Sequence, residues 1–148
     1  MGRAQSERWS WYHGEWWPYP APVTLVPGLC AEVELLVDDQ DTAIALGSGS
    51  VPVLATPRVV ALCEEATVKA LQNQLGPRET SVGMKVQLDH LAPTGVGHRV
   101  VAEATVEKVN GRRITFTVSV DDERGLIAVG RVTRVVVDYD RFLDKLNG

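Results

Sequence analysis

Apolar and polar residues alternate through residues 29–37, with Leu29, Ala31, Val33 and Leu35 on one side and Cys30, Glu32, Glu34 and Leu36 on the other. A period of two marks a strand with one buried face. Asp38-Asp39-Gln40-Asp41 breaks the pattern, and residues 42–46 run into Gly47-Ser48-Gly49-Ser50, a flexible-loop composition, before apolar Val51-Pro52-Val53-Leu54-Ala55. Thr56-Pro57 then carries a helix-start signature, with Thr as N-cap and Pro at the first helical position. Good helix formers continue to about Leu75, where Gly76-Pro77 stops them. Everything after that stop is strand-like. Residues 81–91, 99–109, 112–122 and 126–137 are rich in Val, Ile and Thr, and Pro93-Thr94-Gly95, Asn110-Gly111 and Asp122-Glu123-Arg124-Gly125 separate them. A short terminal helix is predicted over residues 138–146. The order of strand, loop, one helix and four strands predicts an α+β domain whose last strands form an antiparallel meander.

Helical phase distinguishes the residues of the single long helix. At about 100° per residue, Val59, Leu62, Cys63, Ala66 and Ala70 cluster on one face and form the predicted core stripe. Val60, Thr67, Val68 and Leu71 fall nearly opposite, so only a strip of Arg58, Glu65, Lys69 and Gln72 is left for solvent, and the helix is expected to be enclosed. Glu65 lies on that strip four residues before Lys69, the spacing of a favourable exposed pair. Glu64 instead falls among Val60, Val68 and Leu71. A carboxylate at an apolar surface is disfavoured by desolvation and is rarely kept there without a partner or a chemical role. Glu64 is therefore either a structural bond across an interface or a site residue.

In residues 81–91 the alternation places Val82, Met84, Val86, Leu88 and His90 on one face and Ser81, Gly83, Lys85, Gln87 and Asp89 on the other. His90 is thus a core-facing histidine, or, at a strand end before a turn, an accessible functional one. Thr56 is open to two readings as well. Its position suits capping, yet a helix N-terminus also offers unpaired N–H groups and partial positive charge to a developing oxyanion. His98, in the turn, is expected to be exposed.

Composition narrows the function classes. At 148 residues, 45% hydrophobic and 23% charged with a net charge of −4, the chain reads as one ordinary globular domain. The 15 Lys and Arg residues are scattered, so no nucleic-acid surface is expected. Cys30 and Cys63 have no CxxC spacing, and His13, His90 and His98 form no ligand pattern, so no metal or cofactor is expected and both cysteines are expected to be buried. No apolar run approaches the roughly 18 residues of a membrane helix, and no signal-like segment opens the chain, which predicts a cytoplasmic location without membrane association. Residues 1–22 stand apart, holding Trp9, Trp11, Trp16 and Trp17 together with Pro18, Pro20 and Pro22. They are expected to be an irregular extension or an aromatic arm packed on its own or a neighbouring subunit, with the folded domain spanning 23–148.

The run Ala55-Thr56-Pro57-Arg58-Val59-Val60-Ala61-Leu62-Cys63-Glu64-Glu65-Ala66, followed by Ser81-Val82-Gly83 and His90-Leu91-Ala92-Pro93-Thr94-Gly95-Val96-Gly97, resembles the thioesterases typified by fluoroacetyl-CoA thioesterase. The resemblance implies a hot-dog fold, a curved antiparallel sheet wrapped around one long helix, and a homodimer with sites at the subunit interface. It implies hydrolysis of a small or medium acyl-CoA to free acid and CoA, with Thr56, Glu64 and His90 as the catalytic set. Val53, Leu54, Gly83 and Gly95 are the expected substrate-binding positions. Where the fluoroacetyl-specific member carries a phenylalanine gate ahead of the helix, this chain has Leu46, Val51, Val53 and Leu54. The same fold also serves non-catalytic acyl-CoA binding or sensing modules and hydratases, so fold alone leaves these open. The hydratase's Asp/His motif is missing here.

Overall fold

The computed structural model describes residues 25–147. The expected aromatic extension, residues 1–22, lies outside the described residues. The elements are β1 (Cys30–Leu36), a 3-10 turn (Asp39–Asp41), α1 (Ala43–Leu46), α2 (Thr56–Ala70), β2 (Glu79–His90), β3 (Arg99–Asn110), β4 (Arg113–Asp122), β5 (Gly125–Asp138), α3 (Tyr139–Asp144) and a final 3-10 turn (Lys145–Asn147). The strands form one five-stranded antiparallel sheet in the order β1-β3-β4-β5-β2.

The expected core stripe of α2 is the observed one: Val59, Leu62, Cys63 and Ala66 are all at most 1% exposed. They pack against the inward residues of β3 and β4, among them Val100, Ala104, Ile114 and Phe116, with Val33 and Leu35 of β1 partly covering one end. Period 3.6 on the helix meets period 2 on the strands, and burying these faces together supplies the main driving force. The second apolar face is smaller than expected. Thr67 and Leu71 turn into the core at 0% and 3% exposure, which leaves Val60 half-buried and Val68 half-exposed beside Glu64.

The meander holds only for β3, β4 and β5. β2 pairs with β5 at the far edge, so residues 91–98 are a crossing connection and not a hairpin. Turn residues mark where a strand stops; they do not say which neighbour it pairs with. The connection is tied down along its path: the Leu91 N–H donates to the Ile127 carbonyl at 2.7 Å, the Leu54 N–H to Thr94 at 2.8 Å and the Gly97 N–H to Val37 at 2.8 Å. The buried Thr94 hydroxyl donates to Asp122 at 2.8 Å.

β2 also departs from simple alternation. An extra residue, Met84, bulges between the Gly83–Arg134 and Lys85–Thr133 pairs. Val82 and Met84 therefore pack on the outer face with Val135, Val137 and Phe142, while Val86 and Leu88 join the main core. A bulge inserts one residue and flips the facing of everything before it. Ser81 and Gly83, expected outside, thereby face α2. Cys30, expected to be buried, is exposed on the edge strand β1, whereas Cys63 is buried as expected.

Candidate active site

Thr56 does not cap its helix. The cap position is Ala55, whose carbonyl accepts from both Arg58 and Val59 at 3.0 Å. Pro57 has no N–H, so the Thr56 N–H is the first-turn donor left over. The Thr56 hydroxyl points instead at the last residue of β2, with Oγ1 2.8 Å from His90 Nδ1. His90 reaches this position because the β2 register after the bulge returns it to the helix side, opposite Ala128. Burial lowers its imidazole below the ordinary value of 6.5, against a backbone hydrogen bond at Ala92 that acts the other way. The ring is thus neutral at neutral pH, with one nitrogen able to accept a proton. Its Nε2 is buried and has no partner among the described residues.

This pair borders an open pocket of about 310 Å³, walled by apolar side chains including Ala43, Val51, Val53, Leu54, Leu91 and Pro93. Val53 and Leu54 are among the residues that line it. Gly95 forms an isolated bridge with Val53 and is not among the residues that line the pocket. Among the described residues no Lys, Arg, Asp or Glu lines the pocket.

Glu64 lies elsewhere. It is eight residues along α2 from Thr56, about 12 Å at the usual helical rise. It borders a second groove with Ala61, Val68, Gln72 and Arg134. Its Oε2 is 3.4 Å from Arg134 Nη1, and a β-carbon built on Gly83 would collide with that same oxygen. Within one chain the fold brings Thr56 to His90 and Glu64 to Gly83, but it does not bring these two halves together. Glu65 is on the wet side as expected, but its partner is Arg58 at 2.9 Å; Lys69 donates instead to the Glu32 carbonyl at 2.8 Å. Exposed His98 pairs with Glu123 at 2.9 Å. The Cys63 thiol beneath the helix is pushed up to about 12, chiefly by burial, with the Glu64 charge adding to it, so it is no nucleophile.

Arg134 and Ser81 escaped the sequence reading. Arg134 is 7% exposed; its Nε donates to Ser81 Oγ at 2.9 Å and its Nη2 to the Ser81 carbonyl at 3.0 Å. The signal was there: in β5, Arg134 shares a face with Val132 and Val136, an arginine at an inward position. Among the described residues no cluster of His, Cys, Asp and Glu could hold a metal ion.

A family model described as fluoroacetyl-CoA-specific thioesterase matches residues 37–140. The chain belongs to this family. A fluoroacetyl-CoA thioesterase from Streptantibioticus cattleyicolor is 35% identical over 94 residues, which are 64% of this chain and 68% of that one. The solved structure of the fluoroacetyl-CoA thioesterase FlK superposes with a TM-score of 0.79 at 29% identity, covering 83% of this chain and 96% of that one. A Thermus thermophilus member of the thioesterase superfamily does so with a TM-score of 0.77 at 30% identity, over 82% and 90%. The protein is accordingly a hot-dog-fold acyl-CoA thioester hydrolase, and the non-catalytic reading finds no support in the family.

Proposed function

We propose that the protein hydrolyses short- or medium-chain, uncharged acyl-CoA thioesters at a composite site, with Thr56 and His90 from one subunit and Glu64 from the other subunit of a homodimer. The observation that carries this reading is the 2.8 Å contact between Thr56 and His90 beside an apolar pocket at a helix N-terminus. Among the described residues no charged side chain lines that pocket, which favours an uncharged acyl group, since a dicarboxylic acyl chain would lose its hydration without a cation to replace it. The composite arrangement is supported by the separation of Glu64 from the pair along one helix. It is supported too by the partly uncovered strip of Val60, Ala61 and Val68 beside Glu64, which a two-fold neighbour would cover.

In this reading the thioester carbonyl oxygen points at the Thr56 N–H and the helix N-terminus, which stabilise negative charge as it develops. The Glu64 carboxylate either takes a proton from the attacking water or attacks the carbonyl carbon itself, giving an anhydride that water then opens. In both routes the C–S bond breaks, the CoA sulfur leaves as thiolate and is protonated, and the net products are free acid and CoA. His90, bonded to the Thr56 hydroxyl, relays the proton.

A cytoplasmic location is part of the proposal, supported by the CoA-bound substrate class and by two unpaired cysteines, one of them exposed. Among the described residues no helix is long and apolar enough to cross a membrane. Thiol release from a panel of acyl-CoAs tests the function: turnover is expected with short uncharged acyl groups and much less with malonyl- or succinyl-CoA. Tight binding of acyl-CoAs with no thiol release from any of them would contradict it.

A further inference from the structure

We infer that Arg134, held in place by Ser81, is the positioning residue for the Glu64 carboxylate, turning one oxygen inward and leaving the other free to act. This rests on the proposed role of Glu64 and adds to it the device that aims the group.

Arg134 sits where β5 alternation calls for an apolar side chain, between the fully buried Val132 and Val136 on the helix side of the sheet. A buried guanidinium is disfavoured by several kcal/mol of desolvation unless it is paired and hydrogen-bonded. Desolvation does lower its pKa, and the Glu64 charge opposes that shift. Two of its donors are taken by one residue, with Nε on Ser81 Oγ and Nη2 on the Ser81 carbonyl. Because the guanidinium is planar, those two bonds fix the direction of the third donor, and Nη1 then faces Glu64 Oε2 at 3.4 Å.

The β2 bulge completes the arrangement. It sets Ser81 and Gly83 on the helix side and pairs Gly83 with Arg134, so the carboxylate lies over a residue without a side chain. Oε2 is bounded by Arg134 on one side and Gly83 on the other. Among the described residues Glu64 Oε1 accepts no hydrogen bond, and the Glu64 side chain is 36% exposed. The other charged groups nearby are engaged elsewhere: Arg58 pairs with Glu65 and Asp41, and Lys69 donates to the Glu32 backbone carbonyl. At 3.4 Å the contact is longer than the 2.7–2.9 Å of a tight charge-assisted bond. It steers the carboxylate while leaving it less quenched than a bidentate pair would.

The test compares Arg134→Met, Arg134→Lys and Ser81→Ala, each alone and combined with Glu64→Gln, by kcat and KM for thiol release and by melting temperature. Arg134→Met is expected to lower kcat by roughly tenfold to a hundredfold, the scale of a misaimed reacting group, with KM changed much less. Arg134→Lys should recover part of the loss, and Ser81→Ala should lower kcat several-fold. In the Glu64→Gln background none of the three should lower the residual rate further, because the group they aim is gone. Equal fold-losses in both backgrounds would overturn the inference, as would a lowered melting temperature with turnover per folded molecule preserved. Should Arg134→Met fail to fold, Ser81→Ala decides alone by the same criterion. Full turnover in Glu64→Gln itself would remove both this inference and the role of Glu64. Loss there with unchanged rates in the Arg134 and Ser81 variants would remove only the inference.

Discussion

Thr56 Oγ1 and His90 Nδ1 lie 2.8 Å apart across 34 residues of sequence. The contact joins the start of α2 to the end of the edge strand β2. It takes from Thr56 the capping role that its place before a proline predicts, because a hydroxyl turned toward the ring cannot also reach back to its own helix.

Thr56→Val should therefore separate chemistry from stability. Since Thr56 caps nothing, the substitution should lower helix stability by less than the ~1 kcal/mol of an ordinary cap loss. It should still reduce kcat by roughly a hundredfold, the usual scale of a general acid–base contribution. Thr56→Ser should keep most of the activity. Melting temperature and kcat measured on the same samples check this.

The depressed pKa of His90 has two consequences. As a proton acceptor it works when neutral, so kcat/KM should stay high as pH falls to 6.5 and decline only below that ordinary value. For stability, the unfolded chain binds the His90 proton from about pH 6.5 downward while the folded chain still refuses it. Stability is therefore full above 6.5 and is lost as pH falls through the window between 6.5 and the lower folded value. His90→Ala should flatten this component of a denaturation series across that window.

The two adjacent glutamates should respond differently. Glu65 is half exposed in a surface pair with Arg58, so Glu65→Gln should change activity little and stability by about 1 kcal/mol or less. Glu64→Gln should remove most turnover while the circular dichroism spectrum stays the same. Equal effects on turnover would remove Glu64 from the site.

Gly83→Ala should mimic a misplaced carboxylate. Its β-carbon would press on Glu64 Oε2 while the backbone, on an exposed edge strand, accepts alanine readily. The expected result is a kcat loss of about tenfold or more with a nearly unchanged melting curve.

The parts of the fold that depend on local period were legible in the sequence. The buried stripe of α2, the different surroundings of Glu64 and Glu65, and the inward facing of His90 all follow from counting 3.6 or 2 along the chain. What misled were events that counting cannot see. The bulge at Met84 shifts the phase of β2, so Val82 goes outward while Ser81 and Gly83 come under Glu64. Pairing of β2 with β5 is a long-range choice that the Pro93-Thr94-Gly95 turn does not encode. Arg134 went unnoticed because its strand was read for its valines, although one charge on the inward face was the clearest irregularity in it. Finally, the 12 Å or so between Thr56 and Glu64 is plain arithmetic on a helix, and it argues that one chain does not make a complete site.

Subunit complementation tests that central claim most directly. Glu64→Gln and His90→Ala chains, each nearly inactive alone, are unfolded together and refolded as a mixture, and thiol release is measured. In a composite dimer the mixed species carries one site with both residues intact, so random pairing should restore about a quarter of wild-type activity. No recovery, with mixed dimers demonstrated by differential tagging, would contradict the account and return the whole site to a single chain.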